Sequence, residues 1–197
     1  MSTSNTHDTR QHILDTAQDI IATKGYTAVG LNEILQAAGV PKGSFYHYFA
    51  SKDAFGQALL EHYFSTYLQQ LQVLDSGPGE SAAQRLLNYL HAWLDAQSAT
   101  EPHGKCLAVK LAAEVSDLSE PMRLVLDKGT EQVITRLAGV VRSAQADGTV
   151  ATTLDAHSMA TMLYHLWLGA CLRAKITRNR QPLDAALAST RCLLNQT

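Results

Sequence analysis

Apolar residues recur at three- and four-residue steps along most of the chain, the spacing of helices that each bury one face. In "TRQHILDTAQDIIATKGY" the stripe is Ile13, Leu14, Ala17, Ile20 and Ile21, with Asp8 or Thr9 placed as cap and Gly25 where a left-handed C-terminal residue belongs. A short second helix is predicted over Leu31 to Ala38, with Leu31, Ile34 and Leu35 inward and Gly39 closing it. Pro41 suits the first turn of a third helix, "PKGSFYHYF", and Ser51 caps a long one that "DSGPGES" breaks near residue 75. Further helical patterns run over about 81–98, 104–116, 119–145, 155–177 and 183–194. No stretch alternates at period two, so the predicted class is all-α, without a sheet.

Two short helices joined by a tight turn at Gly39–Val40, under a longer first helix, form the pattern of a helix-turn-helix. A helix that reads DNA needs small or polar residues in its first turn, so that its backbone can approach base edges. In "PKGS", Lys42 reaches guanine or phosphate, Gly43 allows close approach, Ser44 offers a hydroxyl, and Pro41 can touch a thymine methyl. Phe45 and Phe49, four apart, face a small core, leaving Tyr46, His47 and Tyr48 to hydrogen-bond phosphates. Lys52 opens the next helix, where its charge and the helix-end amides both favour a phosphate. A helix-turn-helix pattern alone is common among unrelated helical pairs.

The full string "LQAAGVPKGSFYHYFASKDAF" resembles the signature of TetR-type one-component repressors, in register from about Thr9 to Leu60. That resemblance implies an all-α homodimer. Residues 1–52 would form the three-helix DNA-binding domain, and 53–197 a larger helical sensor and dimerisation domain. By match to the motif, Lys42, Gly43 and Ser44 read bases, while Tyr46, His47, Tyr48 and Lys52 clamp phosphates of double-stranded operator DNA. Val29–Gly30 departs from the family pattern by replacing the hydroxyl residue that usually caps the second helix.

Charge then changes what binding can rest on. Sixteen basic against eighteen acidic residues give a net charge of -2, which leaves no overall footprint for nucleic acid or an anionic membrane. Residues 1–52 carry Arg10, Lys24, Lys42 and Lys52 against Asp8, Asp15, Asp19 and Glu33, so their charges balance. Binding would rest on local placement and neutral donors, with a shallow salt dependence. The polar N-terminus lacks a signal-peptide pattern and no apolar run reaches roughly 18 residues, so the expected location is the cytoplasm. No phosphate loop, nucleophile elbow or zinc-binding His-Glu motif occurs, so neither an enzyme nor a bound cofactor or metal is expected.

Cysteine usage supplies the candidate chemistry. Cys106, Cys171 and Cys192 have no paired spacing, which points to thiols in a reducing compartment rather than a disulfide framework or a zinc site. Cys171 and Cys192, set among Leu and Ala, read as small hydrophobes. Cys106 falls in the first turn of its predicted helix, with Lys110 four residues on and His103 and Lys105 before it. A helix N-terminus and a nearby cation lower a thiol pKa from about 8.5. Packing against Val109 and Ala113 is the other reading, and spacing alone leaves both open. In "MATMLYHLWLGACLRAK", Tyr164, Leu168, Cys171 and Lys175 share a stripe, so Lys175 either snorkels from the helix end or is partly buried with a reactive amine.

"GKCLAVKLAAEVSDLSEPMR" and "LWLGACLRAKITR" resemble the members of that family that sense reactive electrophiles and chlorine oxidants. This closer resemblance implies that Cys106 is the sensing thiol and Lys175 its partner. It implies reactive electrophiles or hypochlorite as inducers, and derepression of detoxification genes for a flavin-dependent reductase and a glyoxalase. An amine near an oxidised Cys106 would trap it as a sulfur–nitrogen bond. The resemblance also assigns dimerisation to the helices at 155–177 and 183–194, the first of them apolar around more of its circumference than a surface helix. The alternative is a repressor with a noncovalent inducer among Tyr89, Trp93, His165 and Trp167.

Overall fold

The computed structural model describes residues 3–75, 79–98 and 106–194. Among these are nine α-helices and no strand: α1 (Thr3–Lys24), α2 (Leu31–Ala37), α3 (Phe45–Tyr48), α4 (Lys52–Gln70), α5 (Ala82–Ser98), α6 (Leu107–Val115), α7 (Glu120–Ala146), α8 (Ala156–Thr177) and α9 (Gln181–Leu193). No described helix is long and apolar enough to cross a membrane.

Most expected boundaries hold, because the residues that stop helices stand where the chain turns. Gly25 (φ 94°) and Gly39 (φ 65°) take the left-handed conformation that ends α1 and α2. Ser51 Oγ accepts from the Ala54 amide at 3.0 Å, capping α4. Gly30 caps α2 with no side-chain bond, as its lack of a hydroxyl requires. Three boundaries among α1 to α4 differ. α1 starts at Thr3, not after a cap at Asp8 or Thr9, because no Gly or Pro interrupts residues 3–9. Pro41, extended at ψ 139°, stands before the third helix, which opens as a 3-10 turn (Lys42–Ser44) and leaves α3 only four residues. α4 ends at Gln70 and tightens into a 3-10 turn over Leu71–Leu74.

The chain divides into two compact units. The first comprises Met1–Thr66 and Lys105–Gly129, and so unites α1 to α3 and most of α4 with α6 and the start of α7. Its core is Ile13, Leu14, Ala17, Ile21, Ile34, Phe45, Phe55, Leu59 and Leu111, each no more than 1% exposed. Ile20 and Leu31, expected inward, are half-buried. Inside this unit two glycines set α4 against α7. A Cβ on Gly56 of α4 would lie 2.6 Å from Met122 Sδ, and one on Gly129 of α7 would lie 2.3 Å from the Phe64 ring. Each helix thus carries a notch and a knob for the other, which fixes their axial register.

The second unit comprises Tyr67–Gly104 and Thr130–Thr197. Here α8 and α9 pack on each other across a short turn at Arg178, itself left-handed at φ 53°. Asp155 caps α8 by accepting from the His157 and Ser158 amides at 3.0 Å each. Trp167 is buried and donates its Nε1–H to the Thr190 hydroxyl at 3.1 Å, while its ring meets Trp93 edge-on at 5.3 Å. Tyr89 bonds Tyr67 hydroxyl to hydroxyl at 2.5 Å, and His165 is exposed, so the four aromatics considered for a noncovalent inducer divide between packing partners and surface.

Candidate functional site

The candidate reading head is built around an aromatic cluster. Phe45, Phe49 and Phe55 meet at centroid distances of 5.1 to 5.7 Å and are all buried. Pinning Phe45 and Phe49 inward turns the residues between them outward. Lys42 and Gly43 are exposed and Ser44 half-buried; Tyr46 and His47 are exposed and Tyr48 half-buried. Nothing lies within 4 Å of a Cβ built on Gly43, so the backbone there is open to close approach. All six candidates thus keep at least part of their surface exposed, within the short segment Lys42–Tyr48.

Lys52, the seventh, is half-buried and makes contacts within the same unit. Its ammonium donates to the Val29 carbonyl at 3.4 Å and lies 5.0 Å from the centre of the Tyr26 ring. Tyr26 in turn donates its hydroxyl to the Lys52 carbonyl at 2.6 Å. Burial, with the Asp53 carboxylate adding to it, raises the Tyr26 pKa above the usual phenol range, so the hydroxyl remains a donor. Arg10, which motif reasoning passed over, places its guanidinium 5.2 Å from the Phe49 ring centre at the same head.

Cys106 belongs to the unit that holds this head. It is the N-cap of α6 (φ -62°, ψ 105°), one position ahead of the first turn, because the helix begins at Leu107 and not near 104. Its Sγ is half-buried and accepts from the Tyr63 hydroxyl of α4 at 3.8 Å. Leu107, Ala108 and Leu111 carry the buried face of α6, whereas Ala113 is exposed. His103 and Lys105 lie outside the described residues.

Lys110, on the Cys106 stripe, donates to the Thr23 carbonyl in the last turn of α1 at 3.2 Å. Glu114, one turn further, accepts from the Tyr26 amide at 3.1 Å, from the Thr27 amide at 2.5 Å and from the Thr27 hydroxyl. Partial burial raises its pKa, but the bonds from Thr27 and Tyr26 and the Lys110 charge outweigh that and hold it below the usual glutamate value. Neither Glu114 nor Tyr63 was named from the sequence. The signal was present for Glu114, which follows Cys106 at twice the helical step of four.

In the second unit, Cys171 is buried as expected, but Cys192 is exposed, because the inward face of α9 is carried by Leu183, Ala186 and Thr190, with Leu194 buried at its C-cap. Lys175 is exposed in the last turn of α8. Met162, Leu172 and Ile176 are also exposed on α8, at 36%, 52% and 62%, and Ala185 and Ala188 on α9. Among the described residues, no group of three His, Cys, Asp or Glu side chains is arranged to hold a metal.

Residues 13–65 match the family model for bacterial regulatory proteins of the tetR family, and 82–190 match that for the tetracyclin repressor-like C-terminal domain. The chain is 42% identical over 195 residues to the HTH-type transcriptional repressor NemR of Escherichia coli K12, covering 98% of each. It is 33% identical over 178 residues to the repressor DhaR of a Mycobacterium species, covering 90% of this chain and 88% of that one. The crystal structure of the reduced form of E. coli NemR superimposes with a TM-score of 0.89 at 42% identity, covering 95% of this chain and 97% of that one.

Proposed function

Because this chain belongs to the TetR family of bacterial regulators, whose repressors bind operator DNA and act as dimers, we propose that its hold on DNA is governed by covalent chemistry at Cys106. The coarser statement, a NemR-like transcriptional repressor, follows from similarity over nearly the whole chain. The observation that carries the finer reading is the contact of Cys106 Sγ with Tyr63 of α4. α4 begins four residues after α3 ends, so a group added to that sulfur pushes on the helix that follows the reading head.

Two reactions fit. An electron-poor alkene is attacked at its β-carbon by the thiolate, forming a carbon–sulfur bond while the π pair moves to the α-carbon and takes a proton from water. Hypochlorous acid transfers chlorine to sulfur with loss of hydroxide; the neutral Lys175 amine then displaces chloride and sheds a proton, so that cysteine and lysine together lose two hydrogens. Lys42, Gly43 and Ser44 would read bases, with Tyr46, His47, Tyr48 and Lys52 on phosphates. The exposed apolar residues of α8 and α9 support their assignment to the dimer interface.

The test is affinity for an operator duplex selected from random DNA, before and after one equivalent of maleimide, in the wild type and in Cys106→Ser. The wild type should lose affinity and the variant keep it. Release that persists in Cys106→Ser sinks the proposal. Hypochlorite should also yield a crosslinked Cys106–Lys175 peptide pair that is lighter by two hydrogens.

A further inference from the structure

Cys106, Lys110 and Glu114 stand four residues apart on α6 and so lie in one stripe. Each makes a contact inside the unit that reads DNA. The thiol meets Tyr63 of α4, Lys110 bonds the Thr23 carbonyl, and Glu114 takes the amides of Tyr26 and Thr27. Those two residues lie in the six-residue link between α1 and α2. The link is shaped around the carboxylate: Gly25 turns at φ 94°, and a Cβ there would come within 3.0 Å of Glu114 Oε2. From the link the chain of bonds continues, since Tyr26 donates to the Lys52 carbonyl at the start of α4.

We propose that Glu114 is the positioning residue through which the state of Cys106 reaches the reading head, by holding or releasing the Tyr26 and Thr27 amides. This rests on Cys106 being the sensor, as proposed above. Three donors converge on one charged acceptor, the strongest kind of hydrogen-bonded site in a protein, and it depends steeply on position. α6 is nine residues long and about 14 Å from end to end, short enough to shift as a rigid rod when its N-cap is modified. A shift of about 1 Å takes the Thr27 amide, at 2.5 Å, beyond hydrogen-bonding distance. The α1–α2 link then loses its anchor, and α2 supports the reading helix α3 through the Gly39 turn.

Glu114→Gln keeps the size of the side chain, removes its charge and sets an NH2 donor against one of the two backbone amides, leaving an acceptor for the other. Operator affinity is measured for the reduced and the maleimide-treated forms, with intact mass confirming one adduct. Reduced Glu114→Gln should bind about tenfold more weakly than the wild type, and the ratio between its two forms should fall toward one. Wild-type affinity in the reduced variant overturns the proposal. So does a uniform loss that preserves the wild-type ratio, which is what a staple serving stability alone would give. A second measurement uses only the wild type: hydrogen exchange at the Tyr26 and Thr27 amides should quicken severalfold on maleimide treatment, and unchanged protection overturns the proposal. A wild type that keeps its DNA affinity after alkylation overturns the Cys106 reading and this proposal with it; loss of DNA with unchanged amides overturns this one alone.

Discussion

The same substitution at two places in α7 should have opposite signs. At Gly129 a new methyl would sit 2.3, 2.4 and 2.5 Å from three carbons of the Phe64 ring, against an ordinary contact of about 3.5–4.0 Å. The ring would have to retreat by more than about 1 Å. It has little room, being 4% exposed and packed edge-on against Tyr63 at 5.1 Å. Overpacking of this kind costs about 1–3 kcal/mol, and occasionally more. Alanine returns about 1 kcal/mol of helix propensity, so Gly129→Ala should be destabilised on balance by up to about 2 kcal/mol. Ten residues on, nothing lies within 4 Å of a Cβ on Gly139, and Gly139→Ala should gain the propensity term alone, about 0.5–1 kcal/mol. At about 2–4 °C per kcal/mol for a chain this long, the two variants should differ in melting temperature by several degrees, on opposite sides of the wild type. Thermal unfolding at one fixed protein concentration reads this, since a dimer's midpoint moves with concentration. Phe64→Leu in the Gly129→Ala background should recover part of the loss. A Gly129→Ala protein at least as stable as the wild type would refute the notch-and-knob account of α4 and α7.

Thr190→Val removes the acceptor of the buried Trp167 indole, and denaturant unfolding should show a loss of about 1–3 kcal/mol that Thr190→Ser largely avoids; equal losses would remove the hydrogen bond as the cause. The logarithm of operator affinity should fall with that of salt at a slope of about -2 to -4 per dimer, because Lys24 is paired with Glu33 and leaves Lys42 and Lys52 as the lysines each head brings to phosphates; a slope near -10 would contradict it. Because Glu114 titrates below the usual glutamate value, the unfolded chain takes its proton first on acidification. The stability gap between wild type and Glu114→Gln should therefore be full at neutral pH and shrink as pH falls through the glutamate range toward the lowered folded value; a gap that widens in acid would reverse the sign.

Helix order and most helix ends were legible in the sequence because stop signals are local: Gly25, Gly39 and Ser51 act on their own backbone, whatever packs nearby. The outward set on α3 was legible too, because Phe45 and Phe49 fix one face and leave the rest. What escaped was long-range. Lys52 at a helix start reads as a phosphate ligand, and only the folded chain brings Val29 and Tyr26 to it. Glu114 reads as a solvated charge until the α1–α2 link, 87 residues earlier, closes over it. Cys106 moved from the first turn to the N-cap because the helix starts at Leu107 and not near 104, a boundary that periodicity does not resolve. Cys192 among leucines suggested burial, but α9 turns Leu183, Ala186 and Thr190 inward instead.

The first unit is assembled from two stretches of chain, Met1–Thr66 and Lys105–Gly129, and this bears on how such a regulator can be recombined. A chimera that takes only residues 1–66 would separate Phe64 from Gly129, Gly56 from Met122 and the Tyr26 and Thr27 amides from Glu114. Its operator specificity would travel with the graft, but the groups that hold the head in place would stay behind. The transferable module is discontinuous, and a graft made to respond to a new signal must carry α6 and the first turns of α7 as well.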